Sequence, residues 1–153
     1  MTLPAKPLDN PAITAQPIDL SPLVKALAQL QEALRFWHAL PQGAALKPHL
    51  RSAVIQSFEF TYELSVRMLR RVLIERSKAA DLVIGLSFND PLRKAADAGL
   101  VAEPDLWRQW RDIRNSTSHT YDEARAAEVA AGIDPSAAGA TSSLVELEKS
   151  LGH

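Results

Sequence analysis

The 153-residue chain contains no cysteine and has almost no net charge, with 17 basic and 18 acidic residues. Without cysteine, a disulfide framework, a thiolate zinc site and a cysteine nucleophile are all excluded. The charge balance of −1 provides no general attraction to nucleic acid. Any contact with RNA or DNA therefore has to come from a local arrangement of side chains.

The first twenty residues lack a continuous apolar run, so the sequence predicts neither a signal peptide nor a membrane span, and we expect a cytoplasmic protein. This segment carries Pro4, Pro7, Pro11 and Pro17. Such a composition is typical of an extended, poorly ordered arm. We therefore divide the chain into a proline-rich arm at residues 1–20 and one folded domain at residues 21–153, long enough to bury a core.

Two motifs that bind ligands or metals in other proteins are also missing. The chain has no glycine-rich phosphate loop, which argues against ATP binding through a P-loop. It has no Glu-x-x-His motif of the kind that holds metal ions inside helical bundles. We accordingly expect no cofactor and no metal site.

Apolar residues recur at spacings of three and four, which predicts helices, and no segment alternates with the period of a strand. Ser21-Pro22 is typical of a helix start with serine as the N-cap, and this helix should end near Leu40. A long central helix is predicted from about His49 to Arg76. The expected fold is all-α: an up-and-down bundle of four to five helices.

The later helices are bounded by proline and glycine. A short helix should follow Asn89-Asp90-Pro91 and stop at Gly99, and another should begin near Pro104. The C-terminal segment contains Leu144, Val145, Leu147 and Leu151. Because Asp134-Pro135 and Gly139 precede these residues, we expect that segment to be interrupted.

The stretch RNSTSHTYDE, from Arg114 to Glu123, breaks the amphipathic pattern of DLWRQWRDI. Thr120-Tyr121-Asp122-Glu123 has the form of a capping box, in which Thr120 caps a new helix. The sequence therefore predicts that one helix ends around residues 116–118 and the next runs from Tyr121 to Ala131. A break at the serines would allow Arg114 and His119 to point into one cleft.

Arg114 and His119 together form a minimal set for cleaving RNA without a metal. The guanidinium fork fits phosphate oxygens, and a histidine exchanges protons near neutral pH. A two-fold dimer would place an acid and a base at one site. Structural roles are an open alternative on spacing alone: Arg114 could neutralise a helix C-terminus, His119 could lie on the surface, and Tyr121 could be a core anchor.

Three further groups of residues have a structural and a functional interpretation. Glu59 and Glu63 share a helix face and are expected to be solvated, or to support the Arg114–His119 cleft. The basic RMLRR run at residues 67–71 is typical of a solvated face, although it could contact a nucleic acid. Trp107 and Trp110 are expected to pack in the core or an interface rather than stack on bases.

The chain resembles the HEPN superfamily. RNSTSHTYDE has the superfamily's Arg-x4-His-x-Tyr form, and RSAVIQSFEFTYELSVRMLRR resembles the long helix that precedes the motif in the nucleotidyltransferase substrate-binding proteins. The resemblance covers roughly residues 23–131. It implies a homodimer with both motifs facing a shared cleft, and toxins of this branch are paired with a minimal nucleotidyltransferase that acts as antitoxin.

By this similarity, Arg114 and His119 would be the ribonuclease residues, Asn115 and Ser118 would support them, and Tyr121 would be the tyrosine that the partner modifies with AMP. The substrate would be RNA. Two alternatives remain open at this point. One is a non-catalytic subunit that presents a substrate or nucleotide to the nucleotidyltransferase, and the other is a helical scaffold with a vestigial site.

Overall fold

The computed structural model describes residues 18–76, 89–116 and 123–152, and these residues form an all-α structure with no strand. The helices in these ranges are α1 (Ser21–Ala39), α2 (Lys47–Arg76), α3 (Asn89–Asp97), α4 (Pro104–Ser116), α5 (Glu123–Ala131) and α6 (Asp134–Ser150). The predicted all-α bundle is therefore confirmed. None of the described helices is both long enough and apolar enough to cross a membrane.

Helix α2 is the centre of the bundle and packs against each of the other described helices. Its contact with α1 is the most extensive, and α6 packs against both of them. The apolar positions that predicted this central role are buried along α2, among them Val54, Ile55, Phe58, Tyr62, Leu69, Val72 and Leu73. They join the α1 leucines in one core. Because α2 is buried on several sides, its remaining exposed face is narrow.

Helix α1 begins as predicted at Ser21-Pro22, but the capping residue differs from the prediction. Ser21 is already helical, and the backbone N–H of Ser21 donates to the Asp19 carboxylate at 2.9 Å. Hydrogen bonds from Ser21 lower the pKa of the Asp19 carboxyl. The predicted serine N-cap is therefore wrong, and an upstream carboxylate satisfies this N–H group instead.

The folded unit also includes residues just before Ser21. Ile18 and Leu20 are each 6% exposed and belong to the core. The predicted arm therefore contributes its last apolar residues to the bundle. Residues 1–17 lie outside the described part of the chain, so the prediction for the rest of the arm stands untested.

Helix α3 is followed by the glycine that the sequence predicted as its stop. Gly99 has a φ of 79°, in the left-handed region, and its N–H donates to Ala96 O at 3.0 Å. The N–H of Leu100 donates to Ala95 O at 2.8 Å. These bonds close the helix end, and glycine adopts the required conformation without a Cβ penalty.

Helix α6 corrects the expected interruption near the C-terminus. It runs unbroken from Asp134 to Ser150, because Pro135 occupies the first turn, where proline is tolerated. Gly139 is a packing residue inside the helix. A Cβ at this position would lie 2.1 Å from the Trp110 ring, so the glycine creates the space into which α4 inserts Trp110.

The large aromatic residues divide between the core and the surface. Phe58, Tyr62, Trp107 and Trp110 are all at least 92% buried, and neighbouring rings are 5.2–6.2 Å apart between centroids. The prediction that both tryptophans are packing residues agrees with this burial. Phe60 differs from these four, with 57% of its surface exposed. The core therefore accommodates four of these five aromatic residues and leaves Phe60 at the surface.

Candidate functional site

Arg114 lies in the last turn of α4. A cation at this end is stabilised by the partial negative charge of the unpaired helix carbonyl groups. Trp107 and Trp110 on the same helix are buried and fix how α4 sits on the bundle. The guanidinium of Arg114 is consequently presented at the helix end by a firmly packed element.

The Arg114 side chain reaches across to the central helix and binds Glu63. Arg114 Nε and Nη2 both donate to Glu63 Oε1, at 3.0 and 2.5 Å. The Arg114 side chain is 33% exposed and that of Glu63 is 47% exposed, so the pair lies at the surface of the bundle. A charge-assisted pair of this kind restricts the direction of the guanidinium more than it stabilises the fold.

The electrostatic surroundings of Arg114 are acidic. The hydrogen bond to Glu63 raises the pKa of the Arg114 guanidinium, partial burial opposes this, and the charges of Glu63 and Glu59 add to the increase. Glu59 is one helical turn before Glu63 on α2 and acts on Arg114 through its charge. Arg114 is therefore a permanent cation that Glu63 binds and that the charge of Glu59 also stabilises.

Tyr62 is buried next to the Arg114–Glu63 pair. It precedes Glu63 on α2, and its hydroxyl donates to Trp107 O at 3.5 Å. Burial raises the pKa of the Tyr62 hydroxyl well above its ordinary value. Tyr62 thus stays neutral and connects α2 with the helix that carries Arg114.

The end of α4 is also connected to the start of α5. Ser116 Oγ donates to Asp112 O at 2.9 Å and accepts from Arg125 Nη2 at 3.4 Å. Asp112, Ser116, Arg125 and Glu128 line a shallow surface groove with Ile113 and Val129. The helices on both sides of residues 117–122 are therefore held together by a direct side-chain contact.

The structure brings together Arg114, Glu63 and Glu59 from the predicted set, and Asn115 follows as an exposed residue of α4. Ser118, His119, Thr120 and Tyr121 lie outside the described residues, as does the predicted capping box apart from the start of α5 at Glu123. Helix α4 ends at Ser116, within the predicted interval. The catalytic and regulatory roles of all these residues stay predictions.

Sequence reasoning missed Arg125 and the contact through which it binds Ser116. The available signal was weak: Arg125 lies eleven residues after Arg114, beyond a predicted helix break, and nothing in the local pattern pairs it with Ser116. Glu63 was found from its helix face, but its partner could not be read from local spacing because the two are 51 residues apart. Within the ranges that the structure describes, no group of three His, Asp or Glu side chains could hold a metal ion.

The described part of the chain is thus an all-α protein in which an arginine at the end of one helix is held by a carboxylate of a long central helix. The family model described as "Nucleotidyltransferase substrate binding protein like" matches residues 18–148. The chain therefore belongs to the nucleotidyltransferase substrate-binding protein family. Helix order and the motif agree with the HEPN resemblance.

A curated sequence and a solved structure from Haemophilus influenzae support this membership. The chain is 41% identical over 93 residues to a protein named probable ribonuclease HepT, a match that covers 61% of this chain and 64% of that protein. It also matches the solved structure of HI0074, described as a substrate-binding domain of a nucleotidyltransferase, with a TM-score of 0.78 and 32% identity. That match covers 85% of this chain and 99% of the solved one.

Proposed function

We propose that the protein is a cytoplasmic, metal-independent endoribonuclease of the HEPN type, a toxin that acts as a homodimer and is neutralised by a partner minimal nucleotidyltransferase. The observation that carries this proposal is the Arg114–Glu63 pair, which holds the arginine that begins the Arg-x4-His motif. Similarity to a probable ribonuclease supports the reaction class.

The proposed chemistry uses the ribose 2′-hydroxyl of RNA as the nucleophile. His119 takes the proton of this hydroxyl while its oxygen forms a bond to phosphorus, and the bond to the 5′-oxygen breaks. The products are a 2′,3′-cyclic phosphate and a 5′-hydroxyl, which receives a proton from a general acid. Arg114 holds the phosphate and offsets the charge that develops on it.

The general acid is assigned to a second copy of the motif. One subunit contributes one Arg114 and one His119, whereas the reaction needs a base on one side of the phosphate and an acid on the other. A two-fold axis beside the motif would supply both from His119 of the two copies. The exposed ring of Phe60, one turn from Glu63 on α2, supports an interface at this place.

Control by the partner is assigned to Tyr121. This residue follows His119 by two positions, so an AMP group on its hydroxyl would add bulk and negative charge close to the catalytic pair. The added phosphate would repel an RNA phosphate and offset the charge of Arg114. Transfer of AMP by the nucleotidyltransferase would therefore block the cleft without unfolding the protein.

The experiment compares wild type, Arg114→Ala and His119→Ala for RNA cleavage and for growth inhibition. Each variant should lose activity while its thermal unfolding stays close to that of wild type. The Arg114 side chain is 33% exposed, and His119 stands at a polar break in the sequence and not on an apolar stripe, so each truncation should cost little stability. Full activity of either variant would contradict the assigned roles. Excess chelator should leave cleavage unchanged, and a strict metal requirement would contradict the mechanism.

The regulatory part is tested by co-expression with the nucleotidyltransferase, with Tyr121→Phe as the matched variant that loses only the hydroxyl. Mass spectrometry should find AMP on Tyr121 of wild type, and the variant should stay toxic in the presence of the partner. An unmodified Tyr121 with full neutralisation would show that inhibition occurs by complex formation alone.

A non-catalytic substrate-binding subunit is the second candidate. The acidic pair Glu59 and Glu63 favours it, because these carboxylates already compensate the charge of Arg114 and compete with an RNA phosphate. The description of HI0074 as a substrate-binding domain points in the same direction. This candidate predicts that the purified protein cleaves no RNA. It also predicts that His119→Ala lowers the rate at which the partner transfers a nucleotide to its substrate.

A further inference from the structure

The exposed face of α2 is a single narrow stripe that runs past the Arg114 site. Its members share high exposure and a spacing of three or four residues; they are Gln56, Phe60, Glu63, Arg67 and Arg71, called here the α2 stripe. Met68 and Leu69, which lie between Arg67 and Arg71, face the core, as does the following Val72. The basic run at residues 67–71 is thus divided, with Arg67 and Arg71 exposed to solvent.

Arg67 and Arg71 make no hydrogen bond or ion pair with any residue in the described part of the chain. This is unexpected for Arg67, because Glu63 stands four residues before it, the arrangement in which an acidic side chain best pairs with a basic one on a helix. Glu63 Oε1 instead accepts both hydrogen bonds from Arg114. Because Glu63 pairs with Arg114, it does not form the helical ion pair with Arg67.

Arg71 has a similar environment. Four residues before it stands Arg67, another cation, and four residues after it stands Glu75, in the less favourable order for helical pairing. Two uncompensated guanidinium groups are consequently aligned one helical turn, about 6 Å, apart on the stripe. On the α2 stripe they follow Glu63, whose carboxylate holds Arg114.

We propose that Arg67 and Arg71 form a phosphate-binding track that leads single-stranded RNA along α2 to Arg114. The inference rests on the proposed ribonuclease function and adds where the substrate binds away from the scissile bond. Exposed guanidinium groups bind the phosphate oxygens of RNA whatever its base sequence. Arg67 and Arg71 have no ion pair with a described residue that would have to break first. The track therefore contributes affinity without sequence preference.

The test measures binding of a fluorescent, 2′-O-methylated RNA oligonucleotide, which cannot be cleaved, by anisotropy at several salt concentrations. The double variant Arg67→Gln/Arg71→Gln should bind more weakly than wild type. The slope of log K against log salt should fall in magnitude by about 1.4, because each phosphate contact on a single strand contributes about 0.7. Arg35→Gln is the matched control, since Arg35 is exposed on α1 and also has no partner among the described residues.

The outcomes separate this inference from the proposed function. In cleavage assays with unmodified RNA, the double variant should raise KM more than it lowers kcat. A wild type that cleaves RNA, together with a double variant of unchanged affinity and salt slope, would overturn the track and leave the ribonuclease intact. A wild type that neither binds nor cleaves RNA would overturn both. A double variant that binds RNA normally but no longer associates with the nucleotidyltransferase would show a protein-docking surface instead.

Discussion

At the scale of single residues, the position of Arg114 depends on Glu63. Two donors of the guanidinium converge on one carboxylate oxygen, so the direction of the arginine is restricted by a partner on another helix. The hydrogen bond to Glu63 raises the pKa of Arg114. An arginine is charged at every pH at which histidine titrates, with or without this contact. The pH dependence of cleavage should therefore reflect His119 and not Arg114.

Replacing Glu63 by alanine should lower kcat/KM for RNA cleavage by about tenfold or more, equivalent to about 1.4 kcal/mol. The guanidinium keeps its charge but loses the contact that aims it. Because the pair is exposed, the free energy of unfolding in urea should change by less than about 1 kcal/mol. Glu63→Gln keeps an acceptor oxygen and should recover part of the activity.

Glu59→Ala provides the matched control for this prediction. Glu59 influences Arg114 through its charge, so its removal should affect cleavage less than the removal of Glu63. If Glu63→Ala were as active as wild type, Arg114 would need no carboxylate to position it. If both variants lost activity equally, charge and not geometry would be the contribution of Glu63.

At the scale of helices, Gly139 determines how closely α4 and α6 approach. Glycine is normally the poorest choice inside a helix after proline, at a cost of up to about 1 kcal/mol relative to alanine. Here the space over Gly139 is filled by the Trp110 ring, which is 3% exposed. The local cost to α6 is therefore offset by tertiary packing of a large aromatic side chain.

Gly139→Ala should destabilise the protein by about 1–3 kcal/mol, although alanine is the better helix former. The new methyl group would meet the Trp110 ring, and this residue is only 3% exposed. Urea unfolding followed by tryptophan fluorescence measures the change. Gly43→Ala is the control, because a Cβ there has no neighbour within 4 Å. A stabilised Gly139→Ala variant would show that the Trp110 ring moves aside easily.

Local signals predicted the helices well and failed where a distant residue decides the outcome. Pro104 and Gly99 mark real helix limits, because their backbone restrictions act within a turn. Gly139 looked like the same kind of signal, but its reason is a tryptophan from α4. Likewise Arg114 and Glu63 were each selected from the sequence, while their pairing depends on how α4 crosses α2.

At the scale of the whole molecule, the proposed reaction needs two subunits. The core accommodates Phe58, Tyr62, Trp107 and Trp110, so unburied aromatic surface is confined to a few places in the described chain. Phe36 on α1 and Phe60 on α2 are almost equally exposed, at 56% and 57%. Phe60 stands out because Glu59 and Glu63, the carboxylates around Arg114, flank it on α2.

Phe60→Ser should convert the proposed dimer into a monomer and abolish RNA cleavage, whereas Phe36→Ser should leave both unchanged. The two rings expose similar fractions of their surface, so the two substitutions should affect solubility to a similar extent. A difference in dimer dissociation between the variants therefore shows which ring lies at the interface. Burial of a phenylalanine ring contributes about 1.5–3 kcal/mol, and a two-fold interface contains it twice. Light scattering across a concentration series measures the dissociation. If Phe36→Ser dissociates the dimer and Phe60→Ser does not, the subunits associate through α1. Their two motifs would then not face a common cleft, and the acid and the base would have to come from one subunit.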